Sequence, residues 1–170
     1  YGTVDYVGRI TQTTGEPAND VVIYYTNDVH TYIDGTISYD NIAWLKQNTE
    51  AADVLLVDAG DHIQGTAYGS MDKGKTIIEL MNAAGYDIAT LGNHEFDYGM
   101  ERILELVEKA DYEYISSNFH HIVDGYDGDT VLPAISYATF GDTKIAFVGI
   151  TTPESFTKST PAYFQDGNGN

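Results

Sequence analysis

The sequence predicts an α/β fold, a layered sandwich whose sheet is mixed but largely parallel. Three short apolar runs rich in β-branched residues are typical of buried strands, at Val21 to Tyr25, Val54 to Val57 and Ile88 to Leu91. Amphipathic stretches separate them, and strands that alternate with helices form βαβ units with right-handed crossovers. With 170 residues and 42% hydrophobic content, the chain is long enough to bury one core.

Apolar residues recur at helical spacing in three stretches of the chain. This spacing predicts helices at Tyr39 to Gln47, Lys75 to Ala84 and Gly99 to Ala110. In the last of these, charged residues occupy the face opposite the apolar one, as in a helix that packs on a sheet. A shorter strand is expected to follow at Tyr114 to Ser116.

The alternation of strands and helices ends beyond Pro133. Two β-type runs, Ala134 to Phe140 and Lys144 to Ile150, flank the dipeptide Gly141-Asp142. Such an arrangement predicts a β-hairpin closed by a two-residue turn. The sheet content is therefore expected to be mixed rather than purely parallel.

The two ends of the chain differ from its centre in composition. Residues 1–20 alternate in polarity from Thr3 to Ile10 and then become polar, which predicts a short edge strand followed by a linker. The segment after residue 153 is rich in Thr, Pro, Gly and Asn, and no regular element is expected there. We therefore predict an extension or linker at 1–20, a partial domain at 21–153 and an irregular tail at 154–170.

Charge and composition exclude several classes of partner. The chain has 26 acidic and 8 basic residues, a formal net charge of −18, which argues against binding a nucleic acid polymer or anionic lipid. No segment approaches the roughly 20 consecutive apolar residues that span a bilayer. Cysteine is absent, so a bound metal must be held by oxygen and imidazole. Such a cation would also reverse the local repulsion of a phosphate.

Polar clusters follow each of the three clearest strands. They are Asp28-Val29-His30, Gly60-Asp61 and Gly92-Asn93-His94-Glu95. The carboxyl ends of parallel strands lie along one edge of a sheet, so these clusters are expected to converge although about 30 residues separate them. Their shared position is the strongest functional signal in the sequence.

The clusters contain the ligands of a divalent metal site. Asp28 and Asp61 offer carboxylates, Asn93 a carbonyl oxygen and His30 an imidazole. Two cations about 3.5–4 Å apart need a bridging group, and Asp61 in the middle cluster is best placed to bridge. Each Asp taken singly is more often a turn former or helix cap. Three ligand-rich clusters after three strands favour the metal site instead.

At these residues the chain resembles a known family. The strings Tyr25 to His30, Asp58 to Asp61 and Thr90 to Asp97 are similar to the first three motifs of the calcineurin-like metallophosphoesterases, in their 5′-nucleotidase branch. The resemblance covers roughly residues 21 to 153. It implies that this segment is the first half of a metallophosphoesterase catalytic domain.

The resemblance implies a role for each matching residue. Asp28 and His30 would hold a first divalent metal, Asp61 would bridge both metals, and Asn93 would bind the second. Zinc, manganese or a similar ion suits this set, and the sequence does not choose among them.

The resemblance also supplies two catalytic residues and a reaction. His94 would stabilise the phosphoryl transition state, and Asp97 would orient it. The implied activity is hydrolysis of phosphomonoesters, of nucleoside 5′-monophosphates above all, by water activated at two metals. Two alternatives stay open. One is a 2′,3′-cyclic-nucleotide phosphodiesterase or nucleotide-sugar pyrophosphatase on the same site, and the other is an inert acidic interaction module.

Relatives in the family complete the site with later residues. These are a further histidine, a late Gly-His-x-His or similar motif, and a C-terminal domain that binds the nucleoside. The chain contains none of them, so we expect the 170 residues alone to have low or no activity. We also expect an open sheet edge through which copies can pair.

The composition gives an expectation about location as well. An acidic, cysteine-free chain is typical of secreted, cell-surface or periplasmic proteins of bacteria. Tyr1 opens the chain without a basic or apolar leader, so no signal peptide is expected within it.

Other polar residues near the motifs are expected to have no chemical role. His62 is predicted to be solvated, because adjacent side chains on a strand exit point apart. Glu95 is expected to serve packing or loop hydrogen bonds. His120 and His121 are expected to form a surface pair, and Asp124 to Asp129 a solvated turn.

Overall fold

The structure is a computed structural model that describes residues 21–35, 37–51 and 53–165, and the backbone alone of residues 7–10. Within these residues five strands form one sheet, in the order β1-β2-β3-β4-β5. Strands β2 to β5 pair in parallel, and β1 joins β2 in antiparallel orientation at one edge. The predicted α/β fold with a mixed, largely parallel sheet is confirmed. The five strands are β1 (Val7–Ile10), β2 (Val21–Thr26), β3 (Asp53–Asp58), β4 (Ile88–Ala89) and β5 (Glu113–Tyr114).

Three longer helices connect the parallel strands, within two residues of their predicted bounds. They are α1 (Tyr39–Asn48), α3 (Lys75–Ala84) and α4 (Met100–Lys109), and a short α2 (Ala67–Ser70) that was not predicted precedes α3. Strands β2 to β5 follow one another across the sheet in chain order, so right-handed crossovers place the connecting helices on one face. In agreement with this, α3 contacts both α1 and α4.

The hydrophobic core lies between the sheet and this helix layer. Leu56 of β3, Ile77 and Met81 of α3, and Ile103 and Leu106 of α4 are completely buried. Burial of a side chain of this size stabilises the fold by about 1.5–3 kcal/mol. The core therefore fixes β3 and β4, whose ends carry two of the polar clusters.

The opposite face of the sheet is only partly covered. Ile23 and Tyr25 of β2 and Leu55 and Val57 of β3 alternate with the core residues, and all four are half-buried. A sheet with one well-covered face and one partly covered apolar face is expected in a partial layered domain. Within the described residues, one face of the sheet is thus packed by helices and the other is less covered.

Two antiparallel hairpins follow the sheet. The second, β8 (Ile135–Phe140) with β9 (Thr143–Val148), pairs Phe140 with Thr143 and so closes on the predicted Gly141-Asp142 turn. The first is β6 (His120–Val123) with β7 (Tyr126–Thr130), and it corrects the prediction of a solvated turn at Asp124 to Asp129. The turn is limited to Asp124 and Gly125, and Tyr126 to Asp129 lie in β7. The side chains of this hairpin are mostly exposed on both faces, so its sequence lacks the alternation that reveals a strand.

The tail has more structure than the sequence predicted. A short helix α5 (Ser155–Lys158) and a 3-10 turn at Pro161–Phe164 lie within it. The ring of Phe164 packs against that of Phe96, with centroids 4.8 Å apart. Residues 166–170, the predicted linker at 11–20 and the first part of the predicted N-terminal strand lie outside the described residues. None of the described helices combines the length and apolarity needed to cross a membrane.

Candidate metal centre

Three loops meet at the carboxyl edge of the sheet. The first loop follows β2 and carries Asp28 and His30, the second follows β3 and carries Asp61, and the third follows β4 and carries Asn93 and His94. Backbone hydrogen bonds join the first two loops, from Asp28 N to Gly60 O at 3.0 Å and from His30 N to Asp61 O at 2.9 Å. The third loop joins the second through His94 N, which donates to Asp61 Oδ1 at 2.7 Å. The predicted convergence of the loops is confirmed.

Backbone conformation at this edge is unusual. Asp28, His30 and Asp61 all have positive φ, of 59°, 47° and 60°. Left-handed backbone at a residue other than glycine costs about 1–3 kcal/mol and persists only where the surroundings enforce it. Such residues concentrate at ligand-binding sites, and here they include three of the four predicted metal ligands.

The side chains of these three residues form one cluster. One potential ligand atom from each of Asp28, His30 and Asp61 lies within 4.8 Å of the others, the one such group of at least three acidic, His or Cys residues among the described residues. His30 Nε2 and Asp28 Oδ1 are 2.9 Å apart. The Asp28 side chain is 52% exposed, so the cluster is open to solvent.

The cluster fits a divalent cation. The backbone carbonyl of Gln64 accepts from His30 Nδ1 at 2.9 Å, so Nδ1 carries a hydrogen and Nε2 faces Asp28. A carbonyl on one ring nitrogen commonly orients an imidazole whose other nitrogen binds metal. Two carboxylates and an imidazole suit zinc, manganese and similar ions. The ligand role of each residue stays a prediction.

Asn93 lies at the same junction through its backbone. Its neighbour Gly92 is so close to the second loop that a Cβ there would stand 2.3 Å from Asp61 Oδ1. Its other neighbour, His94, donates its backbone N–H to that same oxygen. The Asn93 side chain is half-buried, and its predicted contact with a second metal stays a prediction.

His94 borders the cluster and is paired with Asp97. The rings of His94 and His30 are 4.8 Å apart in an edge-to-face arrangement, and His94 Nδ1 lies 2.7 Å from Asp97 Oδ2. Burial alone would lower the pKa of His94, but the hydrogen bond and charge of Asp97, with the charges of Asp61 and Glu95, raise it above its usual value. This environment favours an imidazolium whose Nε2–H is available as a donor.

The surroundings of Asp61 disfavour its charge. Burial raises the pKa of its carboxyl, and the nearby charge of Glu95 raises it further, against the hydrogen bond from the His94 backbone. A partly buried carboxylate beside another carboxylate is stabilised by a cation. Perturbed groups of this kind are typical of functional sites.

Glu95 accepts backbone hydrogen bonds from two loops. The N–H groups of Asp61, His62 and Gly92 donate to its carboxylate at 2.8, 2.8 and 2.7 Å. The expectation that Glu95 serves loop hydrogen bonds is confirmed.

The expectation that His62 is solvated is wrong. The side chain is completely buried, with Nδ1 2.7 Å from Asp58 Oδ1 and Nε2 2.7 Å from the hydroxyl of Tyr114. Alternation of side chains holds along a strand, but the left-handed backbone at Asp61 turns the chain back, so His62 points under the sheet edge. Burial would lower the pKa of His62, but the charges of Glu95 and Asp58 outweigh it and raise the pKa to about 9.

Asp58 was missed by sequence reasoning. Its Oδ1 accepts from Gly60 N at 2.8 Å and its Oδ2 accepts from Thr26 Oγ1 at 2.5 Å, so it joins β2, β3 and the second loop. A carboxylate that ends an apolar strand, followed by His62 four positions later, is a signal that could have indicated a buried pair. The expected surface pair holds for His121, which is exposed, but not for His120. His120 is half-buried, and its ring nitrogens lie 2.9 Å from the Gly128 carbonyl and 3.1 Å from the Ser117 carbonyl.

Comparison with known proteins agrees with the fold and the cluster. The family model described as calcineurin-like phosphoesterase matches residues 21–157. The chain is 32% identical over 166 residues to a snake venom 5′-nucleotidase of Gloydius brevicauda and 33% identical over 167 residues to a 5′-nucleotidase of Homo sapiens. Each alignment covers 84% of this chain, but only 27% and 28% of the relatives, so the chain spans little more than a quarter of their length.

A solved structure gives the same result. The chain superposes on the calcineurin-like phosphoesterase YfkN from Bacillus subtilis with a TM-score of 0.64 and 27% identity, covering 80% of this chain and 49% of that one. Calcineurin-like phosphoesterases are metal-dependent hydrolases, in keeping with the cluster at the sheet edge. The family model covers most of the chain, which therefore belongs to the calcineurin-like phosphoesterase family.

Proposed function

We propose that this chain is part of a metal-dependent phosphomonoester hydrolase that acts on nucleoside 5′-monophosphates. The observation that carries the proposal is the approach of ligand atoms from Asp28, His30 and Asp61 to within 4.8 Å of one another. The relatives named as 5′-nucleotidases support the choice of substrate. We further propose residues 21–153 as the catalytic portion, between a linker at 1–20 and a tail at 154–170.

Four residues would hold the metals. Asp28 and His30 would bind a first cation, Asp61 would bridge, and Asn93 would bind a second. Two divalent cations such as zinc or manganese, when bound, polarise phosphoryl oxygens and activate water for attack. They would also offset the chain's net charge of −18, which otherwise repels a phosphate ester.

The chain's own contribution to the reaction is positioning and charge stabilisation. Asp97 accepts from His94 Nδ1, which fixes the ring and leaves Nε2–H free to donate. In our proposal that N–H donates to a phosphoryl oxygen as negative charge develops in the transition state. The raised pKa of His94, caused by the hydrogen bond and charge of Asp97, favours the protonated form of this donor.

The location we propose is outside the cytoplasm, at the cell surface, in the periplasm or secreted. It rests on the acidic, cysteine-free composition and on the relatives named for snake venom. The substrate is the partner we propose, and pairing of copies through the sheet edge remains a prediction.

The test is hydrolysis by the purified whole hydrolase of which this chain would be part, because the 170 residues alone are expected to have low or no activity. The enzyme is first stripped with a chelator and then given manganese or zinc. We expect phosphate release from AMP that disappears on chelation and returns with the metal. Preference for a 2′,3′-cyclic nucleotide or a nucleotide sugar would replace the proposed substrate. No metal bound and no hydrolysis of any of them would favour the inert interaction module.

A further inference from the structure

Glu95 is a completely buried carboxylate that accepts backbone N–H groups of two loops and lies 3.6 Å from Nδ1 of His62. Its Oε2 accepts from Asp61 N at 2.8 Å and from Gly92 N at 2.7 Å. Its Oε1 accepts from His62 N at 2.8 Å and from Ile63 N at 3.4 Å. Three of these amides belong to the second loop and one to the third, so a single side chain joins both loops.

The connection between the two loops is reciprocal. Glu95 of the third loop accepts the backbone N–H of Asp61, while Asp61 Oδ1 of the second loop accepts the backbone N–H of His94. These bonds run between residues more than 30 positions apart in the chain. The two bonds thereby fix the distance between the side chain of Asp61, a predicted metal ligand, and the backbone of His94, the predicted catalytic histidine.

This connection enforces a strained backbone. Asp61 has φ of +60° and the preceding Gly60 has φ of +101°. The loops also approach so closely that a Cβ on Gly60 would lie 2.4 Å from Gly92 N. A buried N–H group left without an acceptor costs about 1–3 kcal/mol. By accepting these N–H groups, the Glu95 carboxylate stabilises the strained conformation.

We propose that Glu95 is a positioning residue of the metal centre. It sets the left-handed conformation that points the Asp61 carboxylate at the cluster, and it fixes His94 relative to that carboxylate. This inference rests on the proposed function and deepens it. Both carboxylate oxygens of Glu95 accept backbone N–H groups, so in this proposal it acts through Asp61 and His94.

Substitution chemistry separates positioning from charge. In Glu95→Gln, the amide has one acceptor oxygen and one NH2 group, so one pair of backbone donors loses its acceptor and faces another donor. Glu95→Asp retains the charge and both acceptors but is one methylene shorter, so it cannot reach both loops. The matched control is Glu108→Gln, which removes the same charge at an exposed position of α4.

The experiment uses the whole hydrolase of which this chain would be part, and it measures manganese binding by calorimetry and, at saturating manganese, kcat for AMP. We expect Glu95→Gln to weaken manganese binding by about tenfold to a hundredfold, the usual effect of a residue that orients a ligand. We expect kcat to fall as well at saturating metal, because His94 is displaced. Glu95→Asp should recover part of both losses, and Glu108→Gln should match the wild type.

The outcomes separate this inference from the proposed function. A wild type that binds manganese without cleaving nucleotides overturns the function, while the binding comparison still decides the role of Glu95. Unchanged affinity and kcat per folded molecule in Glu95→Gln overturn the inference even where the melting temperature drops. Loss of the folded state in both Glu95 variants, or a wild type that binds no manganese, overturns it too.

Discussion

The carboxyl edge of the sheet and the hairpin β6–β7 are both rich in acidic residues and histidine. Several of these side chains are buried at the edge, whereas most of them are exposed in the hairpin. At the edge, Glu95 and His62 are completely buried, and the side chains of both form hydrogen bonds. In the hairpin, apolar side chains are left in solvent, with Ile122 61% and Tyr126 78% exposed. In these two regions, therefore, the polarity of a side chain does not decide whether it is buried.

The difference lies in the partners that each region offers. At the edge, backbone N–H groups of bent loops point inward and need acceptors, and carboxylates supply them. The hairpin pairs most of its own backbone groups between its two strands, and the His120 ring bonds one further carbonyl, that of Gly128. Carboxylates thus stabilise the bent loops at the sheet edge, whereas the carboxylates of the hairpin are exposed.

The largest expected effect contrasts one carboxylate from each region. Asp61→Asn retains the size of the side chain and an acceptor for His94 N, but it removes the charge that would bridge the metals. In the whole hydrolase of which this chain would be part, we expect kcat/KM for AMP to fall on the order of a thousandfold, about 4 kcal/mol. Steady-state assays with saturating manganese measure this loss.

The control is Asp129→Asn, at an exposed carboxylate of β7. It removes the same charge and should leave kcat/KM within about twofold of wild type, since surface changes rarely matter more. Equal losses in the two variants would mean that net charge, and not the cluster, governs activity.

The second effect concerns stability and the buried pair His62–Asp58. The pKa of His62 is raised in the folded protein from 6.5 to about 9. The bound proton therefore stabilises the fold fully below the ordinary histidine pKa, and this contribution is lost as pH rises through about 9. A shift of this size corresponds to stabilisation on the order of 3 kcal/mol.

Urea unfolding of the metal-free protein at about pH 6 and about pH 9.5 measures the loss. We expect the wild type and His121→Gln, at an exposed histidine of β6, to lose stability alike over this range. His62→Gln should lose much less. If all three lose stability in parallel, other groups are responsible.

The same contrast explains what could be predicted from the sequence. The helix at Lys75 to Ala84 has the bounds predicted for it, because its apolar face repeats at helical spacing and is bounded by Gly74 and Gly85, both with positive φ. The convergence of Asp28, Asp61 and Asn93 at one edge followed from parallel strands alone.

What could not be predicted depends on tertiary geometry. The burial of His62 follows from the positive φ of Asp61, which no local pattern reveals. Strands β6 and β7 were not predicted because neither face of this hairpin is buried. Hydrophobic periodicity indicates burial and not strand pairing. The role of Asp58 required knowing that Thr26 lies opposite it in the parallel register.

The smallest expected effect concerns the half-exposed pair His94–Asp97. Asp97→Asn retains an acceptor for His94 Nδ1 but removes the negative charge, so the pKa of His94 should fall. The protonated donor would then be lost at lower pH, moving the alkaline limb of kcat/KM downward and lowering activity at neutral pH about tenfold. NMR titration of the His94 ring in the metal-free protein measures the pKa directly. Asp142→Asn, in the exposed turn of β8–β9, should leave that titration unchanged. A pKa of His94 that does not move in Asp97→Asn would show that the carboxylate orients the ring without setting its charge.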